Sequence, residues 1–430
     1  MNCRHQSSLR QSALLIAPIA PAPTGNGLAL RAGVTVQGLA RAYNLTVAII
    51  PISSGHVDKA SHSWLAHYAY QIYVASFPDP VEIAKSWLAS AQSRAALAAA
   101  EPLAARLRNI CPNSLPAQLT EKAFDLVWVM RSYTAIAALP FRNTDAQLIL
   151  DLDENDSRVL SAIAAIHDDL GATEAARANR QEAAGLARWL KHCTNWFDTV
   201  VTASDAETAQ MLGSDVDRPT LTTIQNAAPG AARATTRSAT VCAHSGSCLF
   251  VGNMTYAPNA DAVRRLVSNI MPMVRRRRPA ATLDIAGHGA IGDWVNTADG
   301  VTFHGFVEDL FDLYSQADIF VAPLRAGGGS RIKLLEAFMC AVPVVASPSA
   351  ASGLDVNHLE HLLVADEDSS IADFIVMLID DPQLAAALSR RALSFVKQHH
   401  DVEIVAQRVA EVAQGLTLTQ SSKPTIGCTL

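Results

Sequence analysis

Short apolar runs alternate with longer amphipathic segments along most of the chain. The apolar runs are rich in valine, isoleucine and leucine, which is typical of strands buried on both faces of a parallel sheet. Candidate strands lie at 13–17, 45–50, 124–129, 147–151, 199–203, 221–225, 249–252, 282–286, 301–304, 319–322, 343–346 and 362–365. Between them, apolar residues recur at helical spacing, as at 259–277, 310–316 and 331–340. This alternation predicts an α/β fold with doubly wound parallel sheets.

The series of strands and helices is interrupted at 229–247, where small and polar residues follow one another without a pattern. Such a segment is typical of an interdomain linker, and a chain of 430 residues is long enough for two or three domains. We therefore predict an N-terminal domain at 1–228 and a C-terminal domain at 248–398. A last helix at 399–415 and a disordered tail at 416–430 complete the predicted organisation.

Composition and charge exclude several classes of protein. Half of the residues are hydrophobic and 17% are charged, which is typical of packed globular domains, and the net charge of −6 argues against broad nucleic-acid binding. Seven scattered cysteines without a C-x-x-C pair favour a reducing, cytoplasmic setting. The N-terminal run at 13–20 follows Arg4 and Arg10 as in a signal peptide, but Pro18 and the next glycine turn favour a buried first strand.

The most informative segment is a predicted strand, a glycine-rich turn and the start of a helix, around residues 317–340. Glycines at 327–329 let the backbone approach a ligand without obstruction by a Cβ atom. Ser330 is the predicted N-cap of the helix, and the free N–H groups of such a helix start bind anions. The turn and the helix start therefore predict an anion site.

Two cations in the first helical turn, Arg331 and Lys333, strengthen this prediction. They oppose the helix dipole, which suggests that they face a bound anion. Glu336 follows Lys333 by about one turn and shares its face. Cations for phosphates and a carboxylate for ribose hydroxyls would suit a nucleotide diphosphate. The alternative is a flexible glycine turn followed by a solvated helix face.

Further glycines and polar residues follow other predicted strands. In doubly wound sheets, ligands bind at the carboxyl ends of the strands. Gly27 follows the first strand, Gly252 and Asn253 follow the first strand of the second domain, and 304–306 follow a later one. A ligand held between the two domains could contact all of these positions.

The first domain carries an acidic segment, DLDENDSR at 151–158. Four carboxylates in six residues could bind a divalent metal, but we find no second cluster of ligands and favour a polar strand end followed by a helix cap. Asp153 remains a candidate for contacting a polyol acceptor. Arg131, after the strand at 124–129, could contact substrate or simply begin a helix. Arg31 is interpreted as a surface cation.

Three segments of the second half together resemble the family-4 (group 1) glycosyltransferases. They are FVGNMTYAPN at 250–259, GFVEDLFDLYSQADIFVAPLRAGGGSRIKLLEAF at 305–338 and VPVVASPSAASGLDV at 342–356. In the first half, the glycine loop, DLDENDSR and VVTASDAE at 200–207 resemble one branch of that group. The resemblance implies the GT-B fold, in which two Rossmann-like domains face each other across a cleft.

The resemblance also implies a reaction and a separate binding role for each domain. A sugar would pass from a UDP- or GDP-linked donor to a glycan, lipid-linked or small-molecule acceptor, with retained configuration and without a metal or other cofactor. The second domain would bind the donor and the first the acceptor. A lipid-linked acceptor would bring the protein into peripheral contact with the inner face of the membrane.

Site residues are carried over from the resemblance position by position. Arg331 and Lys333 would clamp the pyrophosphate, Glu336 would accept the ribose hydroxyls, and the nucleotide base would lie between Phe306 and Val307. Other donor-binding positions would be Gly27, Gly252, Asn253, Gly328, Gly329 and Ser330. The predicted catalytic residues are Arg331, Lys333, Asp153 and Arg131.

The sequence departs from the family pattern at two places. Many members carry two glutamates eight positions apart, and here Gly328 occupies the first position. The usual arginine and lysine after the first strand of the second domain are also missing from GNMTYAPN. Two alternatives therefore stay open: a nucleotide-sugar epimerase of the same fold, and a non-catalytic partner subunit.

Overall fold

The computed structural model describes residues 10–51, 59–75, 115–212, 219–229, 246–289, 298–327 and 331–416. In this part of the chain, parallel strands form one sheet of seven strands and one of six. Helices cover the sheets, as the alternation of apolar runs and amphipathic segments predicts. The predicted linker and tail lie almost entirely outside the described residues, so the domain boundaries stay a prediction.

The first sheet has the strand order β3-β2-β1-β4-β5-β6-β7. Its strands are β1 Ser12–Ala17, β2 Asn44–Ile49, β3 Gln71–Val74, β4 Leu126–Met130, β5 Gln147–Asp153, β6 Thr199–Thr202 and β7 Thr220–Thr223. Its helices are α1 Gly27–Ala42, α2 Lys59–Leu65, α3 Ala117–Thr120, α4 Asp156–Asp169, α5 Thr173–Cys193 and α6 Asp205–Leu212, with 3₁₀ turns at Ser132–Phe141 and Thr194–Trp196.

The second sheet repeats this arrangement in the order β10-β9-β8-β11-β12-β13. Its strands are β8 Ser247–Val251, β9 Thr282–Ala286, β10 Val301–Gly305, β11 Ile319–Ala322, β12 Val344–Ala346 and β13 Leu363–Val364. Its helices are α7 Ala257–Arg265, α8 Met271–Arg277 (joined to α7 by a π-helical turn, Leu266–Ile270), α9 Phe311–Gln316, α10 Ile332–Met339, α11 Pro348–Ala351, α12 Asp368–Asp380 and α13 Pro382–His399. The last helix is α14 Val402–Ala413.

In each sheet the strand order reverses beside the first strand, between β1 and β4 and between β8 and β11. Loops that leave the sheet on opposite sides of such a point form a crevice in which α/β proteins bind ligands. The loops after β1 and β4 carry Gly27 and Arg131, and the loops after β8 and β11 carry Gly252 and Gly327. The topology therefore brings the predicted site residues of each domain to one edge of its sheet.

Strand β1 shows why the buried strands are apolar throughout. Leu14 and Ile16 contribute to the core on one face of the first sheet, while Ala13, Leu15 and Ala17 contribute to the core on the other face. Both faces are covered, so neither set of alternating positions can be polar. This strand confirms the prediction of a buried first strand.

Helix α14 packs against α1 of the first domain. A Cβ atom on Gly38 would lie 2.6 Å from the carbonyl oxygen of Ala406, so glycine permits this close helix contact. Just before α14, the backbone oxygen of the buried His400 accepts a hydrogen bond from the Ala228 N–H (2.7 Å). The chain leaves the first domain after Ala228 and comes back to it after His400, and these two positions lie side by side.

Each predicted strand is present, with bounds that differ by at most a few residues. Strand β3 was not predicted, because its residues QIYV are half-exposed and do not form an apolar run. No helix in the described part of the chain combines the length and the apolar character needed to span a membrane.

Candidate functional site

Arg331 lies at the start of α10, and its guanidinium group donates to two backbone carbonyl groups. Its Nε donates to the carbonyl oxygen of Ser352 (2.7 Å) and its Nη2 to that of Gly327 (3.1 Å). The backbone at Arg331 is not helical, so the N-cap position falls on Arg331. The prediction of Ser330 as N-cap is therefore wrong by one residue, and the roles of Gly328, Gly329 and Ser330 stay predictions because these residues lie outside the described ones.

Lys333 contacts one residue of β8 and one of α7, the helix that follows it. Its Nζ donates to Oδ1 of Asn259 (2.7 Å) and lies 4.9 Å from the ring centroid of Phe250. The pKa of Lys333 is lowered to about 7, mainly by burial; Glu336 opposes this shift and the neighbouring Arg331 adds to it. A bound anion would restore the charge that burial disfavours.

Asn259 was not predicted as a site residue. Its side chain is buried and donates through Nδ2 to the carbonyl oxygen of Asn253 (2.9 Å). Its oxygen is therefore free to point towards Lys333, 74 positions further along the chain. Its only signal in the sequence is weak: a polar residue two positions after the start of a helix.

Glu336 lies one turn after Lys333, as predicted, and has a tyrosine partner. Its Oε2 accepts a hydrogen bond from the hydroxyl of the buried Tyr314 (2.9 Å). Burial raises the pKa of Glu336 to about 7, against the opposing effects of Tyr314 and Lys333. Its carboxyl group can change its protonation state in the physiological range.

Gly252 and Gly287 bring the ends of β8 and β9 into backbone contact. A Cβ atom at Gly287 would lie 1.7 Å from the carbonyl oxygen of Gly252, and the φ of Gly287 is +147°. The side chain of Asn253 accepts hydrogen bonds from the N–H (3.0 Å) and hydroxyl (2.8 Å) of Thr255. The predicted donor-binding residues Gly252 and Asn253 thus form a tight turn whose carbonyl orients Asn259.

Phe306 stands in solvent at the end of β10. Its side chain is 73% exposed, whereas Val307 is half-buried and packs against the core of the second domain. An exposed aromatic ring of this size is available to stack on a planar ligand. The two residues therefore differ in exposure, and Phe306 offers a ligand much more accessible surface than Val307 does.

Arg131 and Asp153, at the ends of β4 and β5, form a buried charge cluster with their neighbours. Arg131 contacts Asp153 (Nη1–Oδ2, 3.3 Å), Glu154 (Nη2–Oε1, 2.8 Å) and Asp156. Arg131 and Asp153 also have positive φ angles of 73° and 59°. Such strained backbone is typical of functional sites.

Arg31 belongs to the same cluster, so its interpretation as a surface cation is wrong. It is 5% exposed, and its Nε donates to Asp151 Oδ1 and its Nη1 to Asn226 Oδ1, both at 2.8 Å. The reason is that Arg31 lies one turn into α1, where its side chain reaches Asp151 near the carboxyl end of β5. Gly27 begins this helix, and Asn26 caps it by accepting from the Ala29 N–H (3.0 Å).

The acidic segment at 151–158 makes ion pairs and a cap in this structure. Asn155 accepts a hydrogen bond from the Ser157 N–H (3.2 Å) and caps α4. Burial raises the pKa of Asp153, while Arg31 and Arg131 oppose this shift. Among the described residues no group of three or more histidine, cysteine or acidic side chains could hold a metal ion.

The two domains touch at several points around Arg331. Gly353, next to Ser352, has a φ of +88°, and a Cβ atom there would lie 3.3 Å from that of Ser204 in the first domain. Gln225 donates to Asp355 across the same gap (3.1 Å). Elsewhere on the cleft, Arg325 pairs with Asp261 in its own domain (2.8 Å) and with Asp169 of the first.

One protein family matches part of the second domain. Residues 245–381 match the family model of group 1 glycosyl transferases. This segment runs from the start of β8 to the end of α12 and includes Arg331, Lys333 and Glu336. The finer assignment to family 4 stays a prediction.

Solved structures resemble the chain over nearly its whole length. HepE from Anabaena, solved in complex with UDP and glucose, gives a TM-score of 0.60 at 16% identity and covers 94% of this chain and 100% of its own. Sucrose-phosphate synthase from Thermosynechococcus elongatus gives a TM-score of 0.66 at 15% identity, covering 94% and 99%. The chain has the GT-B fold.

Curated relatives match over a shorter span. A 44.6 kDa protein in the cps region of Klebsiella pneumoniae is 26% identical over 168 residues, 37% of this chain and 43% of the relative. A GDP-mannose-dependent monoacylated alpha-(1-6)-phosphatidylinositol monomannoside mannosyltransferase from Corynebacterium glutamicum is 30% identical over 158 residues, 34% of this chain and 42% of the relative. The chain thus matches less than half the length of these relatives.

Proposed function

We propose that the protein is a glycosyltransferase that moves a hexose from a UDP- or GDP-linked donor to a glycan, lipid-linked or small-molecule acceptor. The second domain binds the donor and the first binds the acceptor. The reaction retains the anomeric configuration and needs no metal ion. It takes place in the cytoplasm, at the inner face of the membrane when the acceptor is lipid-linked.

The observation that carries this proposal is the placement of Lys333 and Arg331. Asn259 holds the Lys333 ammonium at 2.7 Å, and Arg331 lies at the start of the same helix. Both cations lie beside the topological switch point of the second sheet, where a donor would bind. Burial disfavours the charge on Lys333, so a diphosphate is the kind of ligand that this site favours.

The chemistry of glycosyl transfer requires such cations. Negative charge grows on the departing diphosphate while the sugar becomes cation-like, so fixed positive groups act most strongly in the transition state. Arg331 and Lys333 would bind the two phosphates, and Glu336 would accept the ribose hydroxyls. The exposed ring of Phe306 would stack on the base.

Two donors deserve testing first. HepE was solved with UDP and glucose, and the Corynebacterium relative depends on GDP-mannose according to its name. UDP-glucose and GDP-mannose therefore represent both bases that we propose.

The proposal is tested with the purified chain, UDP, GDP and these two sugar nucleotides. We expect one nucleotide to raise the melting temperature, because a ligand that binds only the native state stabilises it. We also expect its sugar nucleotide to release that nucleotide at the same rate with and without EDTA. Failure of both nucleotides to bind would contradict the proposal, and an epimerised sugar nucleotide formed without an acceptor would favour the epimerase.

A further inference from the structure

Glu207 lies in the first turn of α6, just after Ser204, which lies close to Gly353 of the second domain. Its side chain is half-buried, and its Oε2 is 3.4 Å from the hydroxyl of Ser204. The Ser204 hydroxyl also accepts the Glu207 N–H (3.2 Å) and so fixes this turn. The carboxylate is therefore held in place beside the interdomain contact.

A short chain of contacts links Glu207 to Arg331. Ser204 approaches Gly353 of the second domain so closely that a Cβ atom there would lie 3.3 Å away. The preceding residue, Ser352, accepts the hydrogen bond from Arg331 Nε (2.7 Å). The first turn of α6 and the guanidinium group of Arg331 thus lie on opposite sides of the segment formed by Ser352 and Gly353.

Charged residues of both domains act on the carboxyl group of Glu207. Burial raises the pKa of Glu207, Asp153 and Glu154 raise it further, and Arg331 lowers it. Glu154 and Glu207 likewise act on Arg331, whose pKa is lowered by burial. Glu207 of the first domain and Arg331 of the second therefore act on each other electrostatically, on either side of the contact between Ser204 and Gly353.

We propose that Glu207 is a further catalytic residue, whose carboxylate stabilises the positive charge that develops on the transferred sugar. The inference rests on the proposed function. During transfer, the bond between the anomeric carbon and the phosphate oxygen breaks, and its electron pair goes to the diphosphate on Arg331 and Lys333. The acceptor oxygen bonds to the anomeric carbon, and its proton passes to the departing diphosphate. The sugar then lies between the diphosphate and Glu207.

Glu336, the carboxylate one turn after Lys333 in the second domain, already accepts a hydrogen bond from the Tyr314 hydroxyl (2.9 Å). Glu207 brings a second carboxylate to the site from the first domain. Negative charge on Glu207 would then act mainly in the transition state, when the sugar is cation-like.

The test compares wild type with Glu207→Gln, which keeps the shape of the side chain and removes its charge. We measure UDP and GDP affinity by calorimetry, and nucleotide release from UDP-glucose and GDP-mannose with water as acceptor. Turnover should fall by about 10²–10³-fold. Affinity for the free nucleotide should tighten by about three- to tenfold, since a like charge facing the diphosphate is lost.

Glu207→Asp and Glu174→Gln are the matched variants. Glu207→Asp keeps the charge and should retain wild-type nucleotide affinity with more turnover than Glu207→Gln. Glu174 lies exposed in the first turn of α5, so Glu174→Gln should change neither quantity. If Glu207→Gln leaves nucleotide affinity and turnover unchanged, Glu207 has only a structural role and the inference is wrong. If wild type binds neither nucleotide, the proposed function itself fails.

Discussion

The guanidinium of Arg331 is anchored by its Nε to the carbonyl oxygen of Ser352, at 2.7 Å. Ser352 precedes Gly353, whose backbone lies against Ser204 of the other domain. One turn of the second domain thus contacts both the predicted diphosphate-binding cation and the first domain. The contact between the two domains and the orientation of Arg331 therefore depend on the same turn.

Gly353→Ala should disturb this connection. The residue has a φ of +88°, and the added Cβ atom would press on Ser204. We expect a loss of about 1–2 kcal/mol in unfolding free energy from the backbone conformation, together with a several-fold fall in turnover. The control is Gly171→Ala, which has a similar φ of +72° and no atoms within 4 Å of the added Cβ. Equal effects of both variants on turnover would contradict the connection.

The affinity for UDP or GDP should fall as pH rises above 7. The pKa of Lys333 is about 7, below its ordinary value of 10.5, and a bound diphosphate would raise it again. Binding above pH 7 therefore takes up a proton, and affinity should fall by up to about tenfold per pH unit between pH 7 and 9. Calorimetry at three pH values measures this, and Lys333→Ala should flatten the dependence.

The shifted pKa values of Glu336 and Lys333 predict how the free energy of unfolding changes with pH. Glu336 has a pKa of about 7, above its ordinary 4.5, so the native state holds more protons between these values and unfolding free energy falls as pH rises through that window. Lys333 has a depressed pKa, so its native state holds fewer protons from pH 7 to 10.5 and unfolding free energy rises there. Glu336→Gln should remove the fall below pH 7, and an unchanged acid-side profile would contradict the raised pKa.

Phe306→Ala should weaken nucleotide binding without destabilising the fold. The ring is 73% exposed, so its loss removes little buried surface. If it stacks on the base, nucleotide affinity should fall by about tenfold. Leu170→Ala, another exposed apolar residue (47%), is the control and should leave affinity unchanged. Equal nucleotide affinity in both variants would exclude stacking by Phe306.

Two arginines on α1 provide a matched test of the buried charge cluster. Arg31→Ala leaves Asp151 buried without its partner and should lower unfolding free energy by about 3–5 kcal/mol. Arg41 pairs with Glu403 at the surface (2.7 Å), so Arg41→Ala should cost less than about 1 kcal/mol. Urea denaturation measures both. Similar losses for the two variants would show that the cluster adds little to stability.

Much of the fold could be predicted from the sequence because the strands of both sheets are buried on two faces. Strand β1 is apolar at each position that faces a core, and this produces a run that is recognisable without any alignment. Strand β3 has a partly exposed side and gives no such run, so it was missed.

The candidate site was only partly predictable, because its partners lie far apart in sequence. Arg331, Lys333 and Glu336 share one helix and could be grouped by spacing alone. Arg31 and Asp151 are 120 positions apart, and no local pattern distinguishes a buried arginine from a solvated one at a helix start. Glu207 and Asn259 gain their significance from contacts between separate elements, which only the folded chain reveals.

Calorimetry of UDP and GDP with wild type, Arg331→Ala and Lys333→Ala tests the central claim most directly. Arg390→Ala and Lys397→Ala, which change exposed cations on α13, are the controls. The account predicts that wild type and both controls bind one nucleotide equally, and that each site variant loses about 10- to 100-fold in affinity, as expected for a charged hydrogen bond. Wild-type affinity in both site variants would contradict it.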